Sequence, residues 1–205
     1  MKNGIKLLLL IATAVLLAAS GCEVNTGSQV QIKMKTVEEQ TEILESYTFE
    51  DYKNIYENVL KEASRLEKDE DLLKWVIRTL AQEKLLFNTD LSDKQIRALA
   101  KEAMEKDKLW KSIAEDRYGI KASDAEVDRY IEAGPDTSSL PQHIAIAESL
   151  NMNLDEYNHG FDWDIYEKAV IWQKLKPKLE KKYNTTNNET LAEKFNAEVE
   201  KNYKK

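Results

Sequence analysis

From Tyr118 to Ile131 the chain reads Tyr-Gly-Ile-Lys-Ala-Ser-Asp-Ala-Glu-Val-Asp-Arg-Tyr-Ile. Gly119 marks a helix end, because glycine tolerates the left-handed residue that follows a last turn. Ser123 with Glu126 three residues on is a capping box, which opens a new helix through Val127, Tyr130 and Ile131. One helix therefore stops here and another begins almost at once. Working back, Ser92 with Gln95 forms a second capping box. The stripe Ile96, Leu99, Ala100, Ala103, Met104, Trp110, Ile113 and Ala114 then recurs at spacings of three, four and seven. Asp107 interrupts that stripe and is expected to turn to solvent at its edge.

The same periodicity extends in both directions. Between Thr36 and Glu67 it runs through Val37, Leu44, Tyr47, Ile55, Tyr56, Val59, Leu60, Ala63 and Leu66, with Thr48 and Asp51 dividing the stretch into two helices. Leu72, Leu73, Val76, Ile77, Leu80, Leu85 and Leu86 form the next helix, closed by Asn88-Thr89-Asp90. Downstream, Gly134-Pro135-Asp136 ends the Ser123 helix, and turns follow to Pro141. A small helix is expected near Gln142 to Leu150, and Asn153 with Glu156 starts another. The last large helix covers about Asp162 to Tyr183, with Ile165, Ala169, Trp172, Leu175, Leu179 and Tyr183 on one side. Pro177 lies inside it and is expected to kink or split it. Residues 184–205 read as a polar extension carrying a final amphipathic piece with Leu191, Phe195 and Val199. Val30, Ile32 and Met34 alternate with polar residues and permit a short strand or an extended lead-in. The expected fold is all-α: an irregular multi-helix body, residues 36–183, with a long kinked closing helix.

Composition agrees. Six glycines and three prolines in 205 residues are too few for the tight turns of a strand-rich fold. Lysine and arginine number 30 against 37 acids, and the net charge of -7 argues against a nucleic-acid partner. A single cysteine excludes an internal disulfide framework, and two histidines offer little for metal or proton chemistry.

The amino terminus is an address. Lys2 and Lys6 precede an apolar run from Leu7 to Ala19, too short for the ~20 residues that span a bilayer but suited to a secretory signal. It closes on Ala19-Ser20-Gly21-Cys22, which resembles the lipobox of bacterial lipoproteins, although Ala19 stands where that family more often has leucine. The resemblance implies a signal peptide over 1–21 and a diacylated Cys22 as the first mature residue. Two acyl chains anchor stably. Removing 1–21 takes away two lysines and no acids, so the mature net charge becomes -9. A body so acidic is repelled by anionic lipid, leaving the lipid to do the anchoring. Residues 22–35 then serve as a lipidated tether.

The Tyr118–Ile131 stretch also resembles a hallmark of SurA-type chaperone domains, in which a helix ending in glycine and an aliphatic residue is followed by a serine-capped "S-D-x-E-V-D" helix. Leu150 to Tyr157 resembles the family's short loop ending in Glu-Tyr or Glu-Phe. Ala169 to Leu179, with Gln173-Lys174-Leu175, resembles its closing helix. The likeness covers about Asp71 to Tyr183, and its motifs are short but keep the family's order. Relatives such as the PrsA foldases attach this domain to a parvulin prolyl isomerase. Only 22 residues follow Tyr183 here, far fewer than the ~90 of such a domain. The resemblance therefore implies binding of extended apolar polypeptide, without isomerase residues.

His143 and His159 lack an HxxxH-type partner and are not assigned to a metal. Asp155, Glu156, Asp162 and Asp164 crowd around Gly160, but the EF-hand register fails, and helix-start acids explain them. No metal, cofactor or catalytic residue is expected. Asn184-Thr185-Thr186 and Asn188-Glu189-Thr190 are formal glycosylation sequons, without presumption of use in a bacterial lipoprotein. Met152, Tyr157, Phe161, Trp163, Tyr166 and Trp172 cluster within about twenty residues. They are candidates either for packing the closing helix or for lining an apolar groove for client segments, since methionine and aromatics adapt to varied peptides.

Two functions follow as expectations. One is a membrane-anchored lipoprotein on the extracytoplasmic face, most naturally of a Gram-positive bacterium, that holds unfolded or secreted polypeptides without catalysis. The other is a scaffold lipoprotein docking one envelope partner in an envelope, spore or secretion-linked assembly.

Overall fold

The computed structural model of the protein describes residues 30–203. The expected signal segment, the expected lipidation site Cys22 and residues 23–29 of the expected tether lie outside those residues.

Among the described residues nine helices follow in order: α1 Val37–Ser46, α2 Phe49–Leu66, α3 Glu70–Leu86, α4 Asp93–Tyr118, α5 Asp124–Glu132, α6 Pro141–Ser149, the single turn α7 Leu154–Glu156, α8 Trp163–Tyr183 and α9 Asn188–Tyr203. A 3-10 turn occupies Pro135–Thr137, and a π-helical turn, Tyr157–Phe161, joins α7 to α8. The fold is all-α, as expected. Among the described residues the strand expected at Val30–Met34 reduces to one antiparallel bridge, Met34 to Phe87. Around it the Lys35 amide donates to Leu86 O at 2.8 Å and the Asn88 amide to Lys33 O at 2.7 Å. An extended lead-in is thus clipped to the end of α3.

The caps form where the sequence places them. The Ser92 amide and hydroxyl both donate to Gln95 Oε1, and those of Ser123 both donate to Glu126 Oε2. Gly119 sits at φ 62°, ψ 32°, and its amide closes α4 on Glu115 O at 2.8 Å. No atom crowds a side chain there, so the cost of Gly119→Ala is backbone strain alone. Thermal unfolding should register a loss of about 1 kcal/mol; no change would mean that the turn relaxes.

Helix α4, ~39 Å long at 1.5 Å per residue, belongs to two cores. Its first half, with Ile96 and Ala100, packs on Val59 and Ala63 of α2 and Val76 and Leu80 of α3. Its second half, with Trp110, Ile113 and Ala114, packs on Ile171, Leu175 and Leu179 of α8 and Leu191, Phe195 and Val199 of α9. A third cluster joins Tyr52 and Tyr56 of α2 to Ala145, Ile146 and Ala147 of α6 and to Tyr157. A fourth joins Val127 and Ile131 of α5 to Tyr166 and Val170 of α8.

One expectation changes, and two open alternatives are decided. Residues 188–203 are no appendage: Leu191 and Phe195 are fully buried, because the second half of α4 and the end of α8 have no other cover for their apolar faces. Helix α8 runs through Pro177 as one element and is not split. Asp107 does not turn to solvent. It is buried, with Lys168 Nζ at 3.1 Å and Lys111 Nζ at 3.0 Å, so two cations compensate its desolvation. Lys168 in turn lies 4.9 Å above the Trp110 ring.

Candidate functional site

The six singled-out aromatic and sulfur residues do not line one surface. Met152 and Tyr157 join the α2–α6 cluster, and Phe161 reaches both that cluster and the α2–α3–α4 core. Trp163 and Tyr166 pack on α5, and Trp172 packs on the α4–α8–α9 core, with its ring 6.5 Å from that of Trp110. Tyr157 and Tyr166 are each only 4% exposed, while the other four remain partly exposed. The shared face expected for a groove is therefore divided, because the π-helical turn between Tyr157 and Phe161 sends neighbouring side chains to different helices.

What these residues surround is polar. Arg78 projects from α3 into the start of α8. Its Nη1 donates to Asp164 Oδ2 at 2.7 Å, and its Nη2 reaches Asp162 Oδ1 at 2.9 Å, Asp164 Oδ1 at 2.8 Å and Phe161 O at 2.9 Å. Lys74 adds a second cation on Asp164 at 2.8 Å, and the Tyr157 hydroxyl donates to Asp162 Oδ2 at 2.6 Å. The guanidinium lies 5.0 Å from the Trp75 ring and 5.4 Å from the Phe161 ring. Burial opposes ionisation of Asp164, but Arg78 and Lys74 hold its carboxyl far below the usual carboxylate range. These charges saturate one another, so the arrangement works as a lock between α3 and α8.

A second polar chain begins at Asn158, which is fully buried. Its Oδ1 lies 2.9 Å from both His143 Nε2 and the Tyr166 hydroxyl, and its Nδ2 donates to Asp136 Oδ1 at 2.8 Å. His143, on α6, is not at the surface, as its type would lead one to expect, but on the buried face of that helix. Burial pulls its pKa down, and because Asn158 Oδ1 can only accept, Nε2 is the nitrogen that donates to it. Next to it, His159 has Nδ1 3.1 Å from Asp128 Oδ1 and Nε2 3.3 Å from Asp136 Oδ2. Burial works against the charged form of His159, yet its bonds to Asp136 and Asp128 raise its pKa overall.

Arg78, Asn158 and Asp136 escape a reading by motif. Only Arg78 leaves a trace, as a cation set beside the apolar stripe of Val76, Ile77 and Leu80. Compared with known protein families, curated proteins and solved structures, the chain matches none of them. No helix among the described residues is long and apolar enough to cross a membrane.

Proposed function

We propose that the chain is a lipid-anchored extracytoplasmic protein that holds extended apolar segments of other polypeptides, without catalysis, on a helical body of the SurA and PrsA type. What supports this reading is the order of local elements between Tyr118 and Tyr183. A helix closes on left-handed Gly119, and buried Ile120 follows. Next come a Ser123-capped helix, an Asn153-capped turn carrying Glu156-Tyr157, and one long closing helix. Phe161, Trp163 and Met152 keep part of their surface in solvent and are the residues through which clients would be held.

The test uses the chain from Glu23 onward, which retains every residue of the four cores. It is mixed with two unrelated denatured proteins during dilution, and light scattering is followed against an inert acidic protein. Suppression of both aggregations at near-stoichiometric amounts is expected. Trp163→Ala and Phe161→Ala should weaken suppression several-fold with helix content unchanged. Loss of both together would assign these rings to packing.

A second reading, docking to one envelope partner, is favoured by the division of the six residues among separate cores. Separate, well-packed faces suit a partner of fixed shape better than clients of many shapes. An affinity capture returning one stoichiometric protein, with no suppression of aggregation, would decide for it.

A further inference from the structure

We propose that His159, Asp136 and Asp155 bind one divalent metal ion of the zinc class. The three come from separate elements: the π-helical turn, the 3-10 turn and α7. Even so, their ligand atoms all lie within 4.8 Å of one another. His159 Nε2 is 3.3 Å from Asp136 Oδ2 and 3.9 Å from Asp155 Oδ1. In a tetrahedral site with metal bonds of ~2.0–2.1 Å, neighbouring donors stand ~3.3 Å apart. The first distance already has that value. The second closes by a small rotation of Asp155, whose side chain is 79% exposed.

The surroundings mark the trio as more than a patch of surface acid. A ligating imidazole characteristically donates its other ring N–H to a carboxylate, which fixes the ring and raises its basicity. Asp128 of α5 stands at Nδ1 in that role and leaves Nε2 for the ion. Asp136 has its second oxygen held by Asn158, and Asn158 is itself locked by His143 and Tyr166 in the interior. A fully buried amide thus fixes the aim of one ligand, while the exposed side of the site stays open to water as a fourth ligand. One imidazole and two carboxylates suit zinc, with manganese next; calcium takes six to eight oxygens and is poorly served.

The ion must displace the proton that Asp128, Asp136 and Asp155 favour on His159, so binding should weaken as pH falls, by about tenfold per unit once the ring is protonated. A bound ion would tie α5, the 3-10 turn and α7 together. The assignment does not depend on the polypeptide-holding role.

The test is calorimetric titration of the untagged full chain in mild detergent, stripped of metal by a chelator, with Zn²⁺, Mn²⁺ and Ca²⁺ in separate runs. One Zn²⁺ per chain is expected, bound more tightly than Ca²⁺. Asp128→Asn should weaken Zn²⁺ about 10–100-fold, and His159→Gln and Asp155→Asn at least as much, with the circular dichroism of the helices unchanged. Because Asp155 is exposed, its variant stays informative even if His159→Gln perturbs folding. Absence of saturable one-to-one binding would overturn the assignment. So would Zn²⁺ affinity indifferent to all three substitutions, which would identify an adventitious surface ion.

Discussion

Arg78→Ala should be among the most damaging single changes in this protein, costing about 3–5 kcal/mol and roughly 10 °C or more in midpoint temperature. Asp162 and Asp164 retain only 14% and 16% of their side-chain exposure. Without the guanidinium, Asp162 loses its ion-pair partner and Asp164 keeps Lys74 alone, so the carboxylates stay desolvated without adequate compensation. The Phe161 carbonyl also loses its donor. Arg78→Lys should fall between, since an ammonium cannot bridge both acids and that carbonyl at once. Adding Asp164→Asn to Arg78→Ala should restore part of the loss. Thermal and urea unfolding followed by circular dichroism would measure each step, and a cost under about 1 kcal/mol for Arg78→Ala would mean that the acids escape to water.

The pH dependence has a definite sign. Asp164 is held below its unfolded pKa, ~3.9, so its contribution is fully present above that value and is lost as pH falls below about 4. In Arg78→Ala the same buried carboxylate is pushed upward instead, and acid relieves it. The stability gap between wild type and Arg78→Ala should therefore narrow below about pH 4.

Phe195→Ala is the second large effect, about 3–5 kcal/mol. Phe195 is completely buried, edge-on to Trp110 at 5.0 Å and to Tyr118 at 5.7 Å, where α9 covers α4 and α8. The substitution leaves a cavity beside two aromatic rings that cannot collapse without moving a helix. Val37→Ala serves as control: Val37 is 75% exposed, and its truncation should stay within about 0.5 kcal/mol. Were 184–205 a loose extension, the two changes would cost about the same.

Helix identity and most helix ends were legible in the sequence, because caps and amphipathic stripes are local. Thr48 with Asp51, Ser92 with Gln95 and Ser123 with Glu126 each act within one turn, and each forms as its spacing predicts. Asp107 shows where local reading stops. Its place on the stripe was plain, but the cation that keeps it inside, Lys168, is 61 residues away. The six aromatic and sulfur residues show the same limit. Their nearness in sequence is real, yet a π-helical turn helps distribute them among four cores.

The sequence by itself determined an acidic, all-α chain and its breaks, since charge, periodicity and capping are properties of neighbours along the chain. Tertiary structure alone decided that α9 closes the core, that Arg78 locks α3 to α8, and that Asp128, Asp136, Asp155 and His159 meet. Those outcomes depend on which faces of distant helices bury one another, and burial is what turns a scattered acid, amide or imidazole into a partner.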